Sequence, residues 1–263
     1  MDNNVQNPDD IPIRPMDIQN NDLFAQFSEV DEKQLILEEE KKPISERILS
    51  RFIEIKKKAL AEISEKIKTL ESKENEEFDF FFGLTLSALE DKNPIIQEIA
   101  LDLIGFITEK FEKNQSEIIN SVFSKVLEKC YSSNKHSLNQ KAKGFLVTAF
   151  QNSIDTKAIF EGMKTLLDSK LQKIPQITIN FLTHILSCFG SFNIDYRGFL
   201  PLIEKICENV SIPLRKEIIE FYKELYKWIR GSLKASVLKL KQNYQVSEKS
   251  NSSLNNLKKK LTF

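Results

Sequence analysis

The sequence predicts an all-α fold, a solenoid of stacked helix pairs, and three observations carry that reading. Composition is the first: of 263 residues only seven are Gly and eight are Pro, while 41% are hydrophobic and Leu, Ile, Lys and Glu dominate. Helices joined by tight turns have this balance, and the apolar share is enough to bury a sizeable core. Periodicity is the second, because apolar residues fall three and four apart in one stretch after another, with short breaks between. The third is that the breaks recur. With Ile53, Pro94, Lys135, Pro175 and Pro213 as markers, the intervals are 41, 41, 40 and 38 residues.

A period near 40 in helix-turn-helix form is that of HEAT-like repeats. In the first unit PISERILS leads through Phe52-Ile53-Glu54-Ile55 into KKKALAEISEKIKTL, and in the second EFDFFFGLTLSALED leads through Asn93-Pro94-Ile95-Ile96 into QEIALDLIGFITEKF. The third joins SEIINSVFSKVLEKC to NQKAKGFLVTAF across a break from Ser132 to Leu138, and the fourth joins KAIFEGMKTLLDS to ITINFLTHILSCFG across Ile174-Pro175-Gln176. The fifth joins YRGFLPLIEKICEN to KEIIEFYKELYKWI across Ile212-Pro213-Leu214-Arg215. Three of these second helices carry Pro at the start, and the first helical position is the expected place: the missing N–H needs no partner there and φ is already helical. Each marker therefore sits at the turn inside a unit. Ile96, Ile99, Leu103 and Phe106, like Ile218, Phe221 and Leu225, form the predicted buried stripe. One unit cannot bury that stripe alone, so the five are expected to share a continuous core without a boundary, with a shorter sixth in residues 232–263. The nineteen Phe, against one Trp, are expected inside it.

The net charge of zero conceals an asymmetry. Residues 1–40 hold eleven acids against Arg14 and Lys33, and residues 231–263 hold seven lysines, among them Lys258, Lys259 and Lys260, against Glu248. Residues 1–20, with Pro8, Pro12 and Pro15 among Asn and Asp, are expected to be an acidic disordered segment. Residues 21–246 are expected to be a single repeat domain. Residues 247–263 read as a basic tail or a last short helix, either solvated or facing nucleic acid, an anionic membrane or an acidic protein. Cys130, Cys188 and Cys207 are odd in number and far apart, which suggests neither a disulfide framework nor a zinc site and fits a reducing compartment. No apolar run approaches the ~20 residues of a membrane span, and the first residues lack the basic start and apolar stretch of a signal peptide. A cytoplasmic location is expected.

Chemistry needs convergent reactive groups, and the chain has only His136 and His184. His184 lies in an apolar run and reads as a structural histidine; His136 sits in a polar turn and reads as exposed. GxGxxG, GxxxxGK[ST], HExxH and GxSxG are all absent. No catalytic, cofactor-binding or metal-ligating residue is proposed, no cofactor and no small-molecule substrate. The body from 41 to 230 is only about +3, sparse for a surface that tracks phosphates.

The fifth unit is more specific. LRKEIIEFYKELYKWIRGSLKASVLKLK resembles the late repeat of TOG domains, the tubulin-binding modules of the microtubule polymerase family, most tellingly at Tyr226-Lys227-Trp228-Ile229-Arg230. KPISERILSRFIEIKKKALAEI resembles the first repeat of that family's first TOG domain and LEDKNPIIQEIALDLIGFI its second, while VFSKVLEKCYSSN and KIPQITINFLTHILSCFG resemble the third and fourth. The resemblance covers about residues 42–246, in order and in register. It implies a flat paddle of six HEAT-like repeats whose intra-repeat turns line one edge and grip a curved αβ-tubulin heterodimer, without catalysis. A role in microtubule growth or organisation, in the cytoplasm at microtubules, centrosome, spindle or basal body, follows from it. By resemblance the tubulin-binding residues are Phe52, Ile53 and Lys56 at the first turn, Asn93, Pro94 and Ile95 at the second, and Lys135 and Lys141 at the third. Pro175 and Gln176 stand at the fourth, and Arg215 and Lys216 at the fifth. Tubulin is acidic, which suits these cations, and Arg215 at a helix start opposes the macrodipole, so that an external anion accounts for it. Trp228, at the far end of its helix, is expected to pack against the final unit.

This sequence departs from the family at four points. Phe52 and Ile53 stand where the family has a Trp, Glu54 where a basic residue is usual, and Gln176 where it has Lys; the third turn is two residues longer. The rival reading is a HEAT-repeat scaffold that docks another protein and has lost tubulin.

Overall fold

The computed structural model describes residues 32–153, 155–207, 211–233 and 236. The acidic segment 1–20, the tail 247–263 and nearly all of the expected sixth unit lie outside the described residues, as does the partner expected for Trp228. The chain divides into two compact units, Met1–Ala59 and Leu60–Phe263.

The described part of the first unit holds α1 (residues 32–40), α2 (Ile44–Arg47) and the opening of α3 (Ile53–Thr69). Pro43, with φ of −55°, precedes the single turn of α2. Ile48, Ile55 and Ala59 are buried, and Lys58 pairs with Glu40 of α1.

The second unit continues with α4 (Glu76–Leu89), α5 (Pro94–Lys110), α6 (Gln115–Lys125), α7 (His136–Asn152) and α8 (Lys157–Leu167). It ends with α9 (Lys173–Phe189), α10 (Tyr196–Ile206) and α11 (Ile212–Ile229), and the described residues contain no β-strand. Within the described residues α4 packs on α5, α6 on α7 and α8 on α9, as three of the expected helix pairs. Helix α5 packs on α7 and α9 on α11, while α6 packs on α8 and α8 on α10, so first and second helices form separate layers around a shared core.

Two details differ from the sequence reading. Only Pro94 takes the first helical position; Pro213 is the second residue of α11 and Pro175 the third of α9. All three still fall in the first turn, where backbone N–H groups have no intrahelical acceptor, so the missing donor costs nothing at any of them. The stripe of α5 is also shifted. Ile96 and Leu103 are buried as expected, but Ile99 and Phe106 are half-buried, and Ala100, Ile104 and Ile107 complete the hidden face. A helix in a layered repeat buries two adjoining stripes, one against its pair and one against the next repeat, which a single line of spacings does not resolve.

Rings join the layers. Phe181 of α9 lies edge-on to Phe123 of α6 at 5.9 Å and to Tyr131 at 5.5 Å, and Phe150, Phe160 and Phe199 form a second chain. Not every Phe is inside: Phe192 is fully exposed and Phe80 half exposed. Val126–Tyr131 is a π-helix that extends α6. Its i→i+5 turns take up more residues per turn than an α-helix.

Gly190 ends α9 with φ of +76°, and a Cβ there would come within 3.0 Å of the Trp228 ring. Both facts require glycine. Gly190→Ala is expected to destabilise the chain by about 1–3 kcal/mol, read from the midpoint of denaturant unfolding.

Candidate protein-binding edge

Hydrogen bonds one repeat apart fix how the turns of the second unit are arranged. Ser137 donates to Glu98 (3.3 Å), Lys141 to Asp102 (2.7 Å) and Lys173 to Asn134 (3.4 Å), each across 39 residues; Asn180 donates to Glu217 (2.9 Å) across 37. Bonds at one period join equivalent positions, so successive second helices run side by side in the same direction. The second to fifth turns therefore lie along one edge, where those helices begin.

At the second turn Asp91 accepts from the Asn93 N–H at 2.7 Å and Asn93 accepts from the Ile95 N–H at 2.8 Å. Asn93 thus caps α5 with Pro94 behind it, a rigid start that leaves Ile95 40% exposed. Lys92 beside it is exposed.

The third turn is more entangled than the sequence suggested. Lys141 pairs with Asp102 at 2.7 Å and Glu98 at 3.3 Å, and Lys135 approaches Glu98 at 3.6 Å. Burial pushes the Glu98 carboxyl up, but the hydrogen bond from Lys141 and the charges of Lys141 and Lys135 outweigh it and hold the pKa below the usual value. The hydrogen bond to Asp102 first, and then that to Glu98, raise the pKa of Lys141 against the opposing effect of burial. Much of the positive charge here is answered within the chain. Behind this turn Tyr131 donates to Asn180 at 2.5 Å; burial first, and the charge of Glu217, push its hydroxyl up to about 12. Tyr131 is the last residue of the π-helix and reaches across to α9.

At the fourth turn Pro175 is buried. Its side chain offers a partner no surface, which corrects the expectation that it is a contact: the third position of α9 faces the core. Gln176 is half-buried, and Lys170, Leu171, Gln172 and Lys173 are exposed. Lys173 supplies a cation three positions before Gln176, where the spacing alone suggested that one was lost. At the fifth turn Leu214 is buried, Arg215 half-buried, and Ile212, Pro213 and Lys216 exposed.

The first turn belongs to the other unit. There the Ser50 hydroxyl accepts from the Phe52 N–H at 3.1 Å, and the Arg51 guanidinium lies 4.7 Å from the Phe52 ring centroid. Phe52 and Lys56 are half-buried and Ile53 is 38% exposed. Glu54 is paired with Lys57 at 2.8 Å, while Arg51 provides the positive charge that position 54 does not.

Sequence reading missed Arg51, Leu171, Lys173 and the outward side of Ile212. A signal existed for the lysine: it opens KIPQ, two residues before the marker proline. None existed for the aliphatic residues, since exposure of a Leu or Ile is set by the local direction of the turn. Elsewhere, His184 is half-buried with Nε2 3.7 Å from Cys188 Sγ, and burial, with the charge of Lys143, lowers its pKa. Among the described residues no group of three or more His, Cys, Asp or Glu is placed to hold a metal, and no helix is long and apolar enough to cross a membrane.

The model of the XMAP215/Dis1/CLASP TOG domain family matches residues 38–248. Among solved structures, the chain is similar to one of microtubule polymerases with TOG domain arrays, concerned with tubulin recruitment and assembly, at TM-score 0.59 and 17% identity. That match covers 82% of this chain but only 45% of the other. A second is Crescerin, which uses a TOG domain array to regulate microtubules in the primary cilium: TM-score 0.62, 14% identity, 85% of this chain and 90% of that one. A third is the TOG domain of human Cep104, at TM-score 0.58 and 11% identity, covering 79% and 88%. At such identities the likeness shows the fold.

Proposed function

The chain belongs to the XMAP215/Dis1/CLASP TOG domain family, and from that premise we propose that it is a non-catalytic module that binds an αβ-tubulin heterodimer through its intra-repeat turns. The observation that carries the proposal is the register of the repeats, which supports one edge with Ile95, Lys173, Gln176, Arg215 and Lys216 on it. Steering of an acidic partner falls to the exposed cations Lys92, Lys170, Lys173 and Lys216 more than to Lys135 and Lys141, whose charges meet Glu98 and Asp102. Asn93 and Pro94 hold Ile95 in place. Phe52, Ile53 and Lys56 form a further contact, with an apolar face in place of the family's Trp. The domain runs from 21 to 246, and the setting is the cytoplasmic microtubule cytoskeleton, including centrosome, spindle or basal body.

One observation favours a second reading, a HEAT-repeat scaffold for another protein: the third-turn lysines already have carboxylate partners. Size-exclusion chromatography of the chain with soluble αβ-tubulin at low salt separates the two. Co-elution at micromolar concentration is the expected result, and independent elution of both proteins supports the scaffold.

A further inference from the structure

We infer that Leu171 and Ile212 are apolar contacts that set how this edge holds its partner, αβ-tubulin. The inference rests on the tubulin-binding reading and adds residues that the family resemblance does not supply. Leu171 is 71% exposed and Ile212 81%, with Ile95 at 40% on the same edge. A single exposed aliphatic side chain is ordinary on a protein surface, but all three of these lie at the start of a second helix: Ile95 is the second residue of α5, Leu171 stands two residues before α9, and Ile212 is the first residue of α11. Each has an inward neighbour that anchors the backbone: Ile96 at 0% exposure, Ile174 at 8% and Leu214 at 1%.

The tips are also held in place. The Leu171 N–H donates to Ser169 Oγ at 3.3 Å and its carbonyl accepts from the Ile174 N–H at 2.8 Å. Ile212 opens α11 immediately before Pro213, whose ring fixes φ. Side chains presented on a fixed turn lose little freedom on binding. Exposed cations flank them, Lys170 and Lys173 beside Leu171 and Lys216 near Ile212. An apolar tip ringed by cations fits an apolar patch bordered by carboxylates, the surface of an acidic protein; on a polyphosphate the aliphatic side chains would find no counterpart.

The test is a tubulin titration of the full chain at two salt concentrations, comparing the wild type with Leu171→Ser, Ile212→Ser and, on the opposite edge, the fully exposed Phe192→Ser. All three positions are exposed, so thermal melts are expected to match the wild type. The inference predicts affinity about tenfold lower for each of the first two, as expected for loss of a buried aliphatic side chain, with an unchanged salt dependence because no charge is removed. Phe192→Ser is expected to bind as the wild type does, and Leu171→Met to retain affinity. Wild-type binding by both Leu171→Ser and Ile212→Ser overturns the inference and leaves the tubulin-binding reading standing. Absence of binding by the wild type overturns both.

Discussion

Phe181→Ala is expected to destabilise the chain by about 3–5 kcal/mol and to split a single unfolding transition into two. Phe181 is fully buried, and its ring meets Phe123 of α6 and Tyr131 of the π-helix, so one side chain ties the third repeat to the fourth. Removing it leaves a cavity that the two rings cannot close, since both are fixed by their own helices and Tyr131 also by Asn180. In a stack of repeats, stability is a sum of nearest-neighbour interfaces, so weakening one interface uncouples the segments on either side. Helical circular dichroism against denaturant reads both effects. Phe192→Ala, at a fully exposed ring, is the contrast, with a change within about 0.5 kcal/mol.

Arg215→Glu is expected to weaken a tubulin complex by about 2 kcal/mol, roughly thirtyfold, and to flatten its salt dependence. Arg215 lies in the first turn of α11, beside exposed Lys216 and three residues from Ile212. A reversed charge there meets an acidic partner with repulsion. The same change suits the helix, because a carboxylate near an N-terminus is favoured by the macrodipole, so folding electrostatics and binding respond with opposite sign. Isothermal titration at two ionic strengths, with a melt of each protein, separates the two. Arg215→Lys keeps the charge and is expected to recover part of the affinity.

The period, the helix pairs and the turns were legible because they depend on local spacing: apolar residues three and four apart, and prolines where backbone donors are idle. The partners of charged residues were not. Nothing in the sequence around Lys141 distinguishes a lysine that faces a partner from one bonded to Asp102, since that bond crosses 39 residues and depends on the register of the stack. Pro175 shows the same limit on a smaller scale. A shift from the first to the third helical position turns its ring from the surface to the core. The widened π-helical turn was not visible in the sequence, because hydrogen-bond pattern is not written in composition. Leu171 and Ile212 were hidden for a different reason, as ordinary aliphatic residues in an apolar-rich chain.

The central claim is that the edge of intra-repeat turns, not the opposite edge, holds the partner. Hydrogen–deuterium exchange of the full chain with and without αβ-tubulin tests it most directly. The account predicts slowed exchange in residues 91–97, 132–141, 168–176 and 211–216 on addition of tubulin, with no change around Gly190 to Asp195. Protection confined to residues 190–195, or none anywhere at saturating tubulin, contradicts it.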